Sequence, residues 1–235
     1  MRIKGNHRGF APSPSYPEIM NCPICNTEAN ILTTGENRQY QHCNLCGLIF
    51  VPPEFHVPAE SEIARYREHE NSLDSKGYVE MFMKKITLLK KHCPQVKTAL
   101  DFGCGYEPVL KTLLEQKGIK TEVYDLNFFP DFPKNKTFDL VVSTETFEHF
   151  KNPMKDIQQA ASCVSSSGFL AVMTRFYPME KEIPCEKKFS DWYYKRDPTH
   201  IVFYTSKTFE WLARKMGFKI IYNNQFDFVL LQNLI

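Results

Sequence analysis

Strand-like and helix-like patterns alternate along the second half of the chain, from Val96 onward. The segments at residues 96–102, 119–125, 138–143 and 169–174 have the composition and the length of strands. Between them, apolar residues recur every three or four positions, as on one face of a helix. This alternation predicts an α/β fold with a Rossmann-like, doubly wound parallel sheet.

The pattern changes towards the end of the chain. A helix is expected from about Ser206 to Met216, ending at Gly217, and is followed by strands at residues 218–223 and 227–232. Too few residues separate these strands for a helical crossover, so they should form an antiparallel hairpin. A parallel sheet closed by such a hairpin differs from the ordinary dinucleotide-binding arrangement.

The first half of the chain divides into three segments. Residues 1–20 are polar and rich in proline, which indicates a flexible arm, and residues 21–53 are loop-rich and contain cysteine pairs. Over residues 54–95 we expect lead-in helices, because Val79, Phe82, Ile86 and Leu89 are spaced by three and four positions before Pro94. Residues 96–235 then form the α/β domain.

Composition restricts the class of protein. Of 235 residues, 43% are hydrophobic and 24% are charged, as in ordinary globular proteins, and no stretch is apolar enough for a membrane helix. The formal net charge of +2 neither favours nor excludes a polyanionic partner. The eight cysteines are not spaced like a disulfide framework, so we expect a reducing, cytoplasmic environment.

Four of the cysteines form a metal-binding pattern. Cys22 and Cys25 lie in CPIC, and after seventeen further residues Cys43 and Cys46 lie in CNLCG. Zinc prefers four tetrahedral thiolates, and a two-residue gap lets one turn present two sulfurs to the same ion. We therefore predict one structural zinc ion in a zinc ribbon. The alternatives are coincidental free thiols or a redox-active pair.

A glycine-rich turn follows the first strand of the α/β domain. In LDFGCGYEP, Gly103 and Gly105 allow close approach of a ligand, and Asp125 at the end of the next strand suits ribose hydroxyls. A dinucleotide fingerprint would have a third glycine where the chain has Pro108, which disfavours NAD and leaves S-adenosylmethionine. A structural turn without a ligand is the remaining alternative.

These motifs together resemble the class I S-adenosylmethionine-dependent methyltransferases. The resemblance rests on LDFGCG, Asp125, the strand FDLVVS leading into TETFEHFKNP, and the closing hairpin. More narrowly, the chain resembles a bacterial group of methyltransferases with an N-terminal zinc ribbon. This resemblance rests on three segments: FEHF followed by NP, RDPTHIVFYTSKTFEWL and RYREHENS. The resemblance covers about Cys22 to Gln232 and says little about the substrate.

The resemblance implies a set of residues around S-adenosylmethionine. The residues expected to hold it are Asp101, Gly103, Gly105, Asp125, Leu126, Thr144 and Glu145. Only thirteen positions separate Asp125 from Phe138, too few for the usual helix and strand, so we expect the customary third strand to be missing or vestigial. The adenine contact would then come from Leu126, Asn127 or Phe128.

The methyl acceptor is expected beside these residues. His149 and Glu148 are candidate catalytic bases, whereas His69 and His200 are weaker candidates. The aromatic run at residues 189–203 would form a substrate lid, or would simply pack on the sheet. The tentative substrate residues are Tyr66, His69, Asn71, Trp192, Tyr193, Arg196 and His200, with Tyr194 beside them.

Three functions follow from this interpretation. The first is methyl transfer to a small-molecule acceptor, without a membrane partner. The second is methylation of RNA, in which the ribbon would recognise the substrate; it is less favoured because the basic residues are dispersed, apart from short clusters such as Lys84 and Lys85. The third is a non-catalytic platform that binds the cofactor. The residues predict neither the acceptor atom nor the oligomeric state.

Overall fold

A six-stranded mixed sheet forms the centre of the computed structural model, which describes residues 19–35, 38–67, 72–179 and 183–235. Four strands are parallel: β5 (Thr98–Phe102), β6 (Lys120–Tyr124), β7 (Phe138–Thr144) and β8 (Val164–Met173). The strands β10 (Phe218–Asn223) and β11 (Phe228–Asn233) form the predicted antiparallel hairpin. The strand order is β10-β11-β8-β7-β5-β6, which confirms the expected fold class.

Helices cover both faces of this sheet. On one face, α2 (Lys76–His92) and α3 (Val109–Glu115) pack against the sheet in one apolar cluster. Phe82, Ile86 and Leu89 are the buried residues of α2, as their spacing predicts. On the other face, α4 (Pro153–Ser162) and α6 (Ser206–Met216) belong to a second cluster. Burial on both faces explains why the central strand β7 and the second half of β8 are nearly continuous in apolar residues rather than alternating.

The edge of the sheet beside β6 lacks the customary third strand, as expected. Between Asp125 and Phe138, all of whose residues are described, the only strand pairing is an isolated bridge between Asp125 and Phe129. The chain passes directly from β6 to β7 through this loop. The edge that would otherwise be covered by a strand therefore remains open next to Asp125.

A second, five-stranded antiparallel sheet contains the cysteine module. Its strands are β1 (Ile19–Asn21), β2 (Glu28–Thr34), β3 (Gln39–His42), β4 (Ile49–Phe50) and β9 (Val202–Phe203). The last of these comes from the α/β part of the chain, where Ile49 pairs with Phe203 and Phe50 with Val202. The module is therefore completed by two residues that lie about 150 positions away in the sequence.

The N-terminus of α6 also contacts this module. Thr205 caps α6 in a capping box with Thr208, and its hydroxyl donates to the carbonyl oxygen of Gly47 at 3.3 Å. Lys207 donates to the carbonyl oxygen of Asn44 at 2.9 Å. The sheet of the module begins at Ile19 and includes residues 202–203, while the boundary near residue 53 stays a prediction.

Two short helices complete the described part of the chain. The helix α1 (Ala59–Arg67) precedes α2 in the lead-in region, and α5 (Glu186–Asp191) begins the aromatic run. Among the described residues, no helix combines the length and the apolar character needed to cross a membrane.

Candidate functional site

The glycine bend lies at the carboxyl end of β5, where ligands bind in open α/β sheets. Gly103 and Gly105 have φ angles of 81° and 70°, in the left-handed region that favours glycine. The backbone amides of Gly103 and Cys104 donate to the carbonyl oxygen of Tyr124, at 2.7 and 3.3 Å. A Cβ on Gly105 would meet no described atom within 4 Å, so the bend faces open space there.

Thr146 holds the other side of this bend. Its hydroxyl lies 3.1 Å from the carbonyl oxygen of Gly103 and 2.9 Å from that of Thr144, which ends β7. The Thr146 side chain also occupies the space where a Cβ of Gly103 would lie. The sequence analysis missed Thr146, because a threonine after a strand has no distinguishing pattern.

Asp125 is joined to the glycine bend by a hydrogen bond. The backbone amide of Gly105 donates to Asp125 Oδ2 at 3.0 Å, and those of Asn127 and Phe128 donate to Oδ1 at 2.8 and 3.1 Å. A carboxylate can accept about four hydrogen bonds, so Asp125 keeps capacity for a ribose hydroxyl. Leu126 is 76% exposed beside it, in a position suited to an adenine contact.

Asp101 lies beneath the same bend and is fully enclosed. Burial raises the pKa of Asp101 to about 7, with a further contribution from the charge of Asp125. Its Oδ1 has no hydrogen-bond partner among the described residues. A buried carboxyl with an unpartnered oxygen at the carboxyl end of a strand is suited to receive a cationic group of a ligand.

Two carboxyl groups meet a tyrosine just beyond β7. The Tyr194 hydroxyl lies 3.1 Å from Glu145 Oε2 and contacts Glu148 Oε1 closely. Glu145 has a φ of 48°, an uncommon conformation for a residue other than glycine and one that clusters at functional sites. Burial raises the pKa of Glu148 well above its usual range, and the charge of Glu145 adds to this. Burial also raises the pKa of Tyr194.

Two histidine rings lie next to Glu148. His149 and His200 have ring centroids 4.9 Å apart, and the ring of Tyr66 lies 5.1 Å from that of His149. His149 Nδ1 is 3.0 Å from the carbonyl oxygen of Thr199, and His200 Nδ1 is 2.7 Å from that of Tyr194. The structure therefore brings together residues from α1, from the end of β7 and from the segment that precedes β9.

Contacts from the cysteine module hold that segment in place. Arg38 donates to the carbonyl oxygens of Asp197 and His200, at 3.2 and 2.7 Å, and the amide of Val51 donates to that of Ile201 at 2.8 Å. The amide of Ile201 in turn donates to the carbonyl oxygen of Glu148 at 2.9 Å. The position of His200 thus depends on the cysteine module and on the turn that follows β7.

The other predicted acceptor residues are placed differently. Trp192 packs among aromatic rings of Tyr177, Phe203 and Tyr194, with centroids 5.3 to 5.7 Å away. Tyr193 is 54% exposed, and Arg196 is also exposed. His69 and Asn71 lie outside the described residues. Their roles in acceptor binding stay predictions.

The four predicted metal-binding cysteines form one cluster. Their sulfur atoms all lie within 4.8 Å of one another, with 3.6 Å between Cys22 and Cys46 and 3.3 Å between Cys25 and Cys43. All eight cysteines of the chain lie in its described part, and each is a free thiol. Four converging sulfurs without a disulfide are the donor set that a tetrahedral zinc ion requires.

Comparison with known proteins agrees with this geometry. A family model described as a methyltransferase domain matches residues 67–223, which include the glycine bend, Asp125 and both histidines. No curated protein matches the chain.

Among solved structures, the chain is similar to one from a complex between the Haloferax volcanii Trm112 methyltransferase activator and its candidate methyltransferase. The two share 13% identity over 73% of this chain and 96% of that one, with a TM-score of 0.51, which shows a common fold.

Two further solved structures have lower TM-scores. An O-methyltransferase family protein from Burkholderia thailandensis has 14% identity and a TM-score of 0.49, over 72% of this chain and 62% of that one. The plantazolicin methyltransferase BpumL, in complex with a monoazolic desmethylPZN analog and SAH, has 14% identity and a TM-score of 0.46, over 75% and 91%.

The packing of Thr146 against the glycine bend predicts an unequal response to two substitutions. Both Gly103 and Gly118 have positive φ angles, 81° and 82°, but only at Gly103 would a Cβ overlap a neighbour. Gly118→Ala should lower the free energy of unfolding by about 1 to 2 kcal/mol, the usual penalty for a left-handed residue. Gly103→Ala should lower it by a further ~1–3 kcal/mol because of the overlap. Urea denaturation measures both values, and equal losses would contradict the packing described for Thr146.

Proposed function

Because the chain belongs to the methyltransferase domain family, we propose that it transfers a methyl group from S-adenosylmethionine to a small-molecule acceptor. The observation that carries this proposal is the arrangement of the glycine bend, Asp101 and Asp125 at one end of the parallel strands. This end of an open α/β sheet is where a nucleotide-like ligand binds.

The residues present fit S-adenosylmethionine. Its ribose hydroxyls would donate to Asp125, and its ammonium group would approach the unpartnered oxygen of Asp101. The open space beside Gly105 gives the ligand access to the backbone. Leu126 and Phe128 flank the open edge of the sheet, where they would contact the adenine in place of the missing strand. Thr144 and Glu145 end β7 and would adjoin the sulfonium.

In such a reaction the protein acts mainly by positioning the methyl donor and the acceptor. S-adenosylmethionine supplies the methyl group on a sulfonium, which is a good leaving group, so alignment and exclusion of water account for much of the catalysis. Glu145, Glu148 and Tyr194 form a hydrogen-bonded polar group just beyond β7, in which Glu148 and Tyr194 are buried. If the acceptor atom carries a proton, His149 and Glu148 are the groups that would accept it.

A small acceptor is favoured over RNA. Glu148 is buried, His149 and His200 are half-buried, and Tyr66 packs against His149, so these acceptor-side groups are enclosed rather than spread over an open surface. Of the lysine cluster in α2, Lys85 is half-buried and forms an ion pair with Asp227, so that the exposed Lys84 is separated from Lys90 and Lys91 rather than part of a continuous basic face. Both features support a compact acceptor rather than a polyanion. We place the protein in the cytoplasm, where thiols stay reduced.

The four clustered cysteines would hold one structural zinc ion. All four positions of a tetrahedral ion would be filled by sulfur, which leaves none for a substrate. The role of the ion would be to stabilise the small sheet β1-β2-β3-β4-β9, and with it the segment that carries Tyr194 and His200.

Calorimetric titration with S-adenosylhomocysteine tests the cofactor assignment. The purified protein should bind it, and Asp125→Ala should weaken binding about 10- to 100-fold, as expected for loss of hydrogen bonds to a charged group. Asp131→Ala, an exposed aspartate in the same loop, is the matched control and should leave the affinity unchanged. Absence of binding by the unaltered protein would refute the proposed function.

Asp101 predicts that ligand binding releases a proton. Its pKa of about 7 means that the carboxyl is protonated in mildly acidic solution, whereas the ligand's ammonium group favours the carboxylate. Affinity for S-adenosylhomocysteine should therefore increase as the pH rises towards 7 and then level off. Asp101→Asn should abolish this dependence. Calorimetry in buffers of different ionisation enthalpy counts the protons released, and proton uptake on binding would contradict the role given to Asp101.

Loss of zinc should affect the two sheets differently. We expect one zinc ion per chain by elemental analysis, and its loss in Cys43→Ser. Hydrogen–deuterium exchange should then increase at residues 201–204, because β9 pairs with the cysteine module, and stay unchanged at residues 98–105. Cys185→Ser is the control, since Cys185 is an exposed thiol outside the cluster. Unchanged exchange at residues 201–204 in Cys43→Ser would contradict this coupling.

A further inference from the structure

A second group of potential metal ligands lies on the acceptor side, separate from the cysteines. It consists of Glu148, His149 and His200, each of which offers one ligand atom, and these atoms all lie within 4.8 Å of one another. Glu148 and His149 belong to the 3-10 turn after β7, and His200 lies two residues before β9. We refer to these three residues as the Glu-His-His cluster.

The carboxyl group of Glu148 is incompletely paired. Glu148 has 0% exposure, and its Oε1 receives the hydroxyl of Tyr194. Its Oε2 is enclosed and has no hydrogen-bond partner within the described part of the chain. An unpartnered buried carboxyl oxygen is unfavourable unless a cation or a donor reaches it. This oxygen therefore points to a ligand beyond the protein's own side chains.

Backbone contacts orient both histidine rings in the manner of metal ligands. A carbonyl oxygen can only accept a hydrogen bond, so Nδ1 of His149, facing Thr199, and Nδ1 of His200, facing Tyr194, must carry protons. In the neutral rings the lone pair is then on Nε2. Donation from the other ring nitrogen to a backbone carbonyl is the usual arrangement around a metal-binding histidine.

We propose that the Glu-His-His cluster binds one divalent first-row transition-metal cation, through the carboxylate of Glu148 and the Nε2 atoms of His149 and His200. Imidazole and carboxylate together suit Mn²⁺, Fe²⁺, Co²⁺, Ni²⁺ or Zn²⁺. Glu148 forms the buried floor of the site, whereas both histidines are half-buried. Three protein ligands leave coordination positions open on the side of the histidines.

The location of the cluster suggests what those open positions hold. These open positions would face the region in which the proposed function puts the methyl acceptor. The identity of the bound acceptor therefore rests on the proposed function, whereas the metal site itself does not. A cation there would bind an oxygen atom of the acceptor and lower its pKa, so that its proton passes to solvent. The deprotonated oxygen would form the new bond to the methyl carbon as the carbon–sulfur bond breaks, with S-adenosylhomocysteine as the leaving group. Glu148 and His149 would then act as ligands, and the acceptor would belong to the class of hydroxyl or carboxyl compounds.

Titration with Co²⁺ tests the site directly, in full-length protein already loaded with zinc at the cysteines. One additional cation per chain should bind, counted by native mass spectrometry. Its visible absorption should lack the thiolate-to-metal charge-transfer band that cobalt at the cysteine cluster would produce. Glu148→Gln and His200→Gln should each weaken Co²⁺ binding at least about tenfold. His92→Gln, which alters a histidine of α2 outside the cluster, is the matched control and should bind as the unaltered protein does.

Binding of S-adenosylhomocysteine, measured on the same samples without Co²⁺, separates the two proposals. If that ligand binds but no second cation does, the metal site is refuted and the proposed function stands. If the second cation binds but S-adenosylhomocysteine does not, the metal site stands and the proposed function is refuted. Retention of full Co²⁺ affinity in both Glu148→Gln and His200→Gln would also overturn the site. If Glu148→Gln does not fold because Glu148 is buried, His200→Gln still tests the site, since His200 is only half-buried.

Discussion

The pairing of β9 with β4 is the contact on which the acceptor side of this protein depends. Only two residues of each strand pair, Ile49 and Phe50 with Val202 and Phe203. All four side chains are buried, so the pairing is reinforced by apolar packing rather than by hydrogen bonds alone. Without it, the segment before β9 would be a long surface loop, and such loops have no fixed position by themselves.

This constraint divides the site into two halves of different origin. The cofactor half consists of the ends of β5, β6 and β7, which are all strands of the central sheet. The acceptor half depends on Arg38 and Val51 of the module, which hold the backbone at Asp197, His200 and Ile201. The cysteine module is thus part of the wall of the site. The proposed zinc ion would thus influence the acceptor half without contacting any substrate.

The sequence predicted the central sheet well, because each of its elements has its own periodic pattern. The last helix, from Ser206 to Met216, and the strand Phe218–Asn223 agree with the expected bounds, since Thr205 and Gly217 mark the helix ends chemically. The absence of the third strand followed from the thirteen positions between Asp125 and Phe138, compared with the usual fold of the family that the sequence resembles. The cysteine cluster followed from spacing, because zinc geometry requires it.

Other features could not be predicted from local patterns. A strand of two residues, Val202–Phe203, has no periodicity to detect, and its partner is far away in the sequence. The contact of Thr146 with the glycine bend, and the meeting of Tyr194 with Glu145 and Glu148, depend on how three separate loops converge. The sequence identified Glu148, His149 and His200 as individual candidates. Their arrangement as one cluster is a property of the fold.

The central claim is that the cofactor half and the acceptor half meet at the end of β7. A crystal structure of the zinc-loaded protein with S-adenosylhomocysteine tests this most directly. We expect the ribose at Asp125, the amino group at Asp101, and the sulfur atom turned towards Glu145 and Tyr194. A ligand bound elsewhere, or one whose sulfur faces away from Tyr194 and His200, would contradict it.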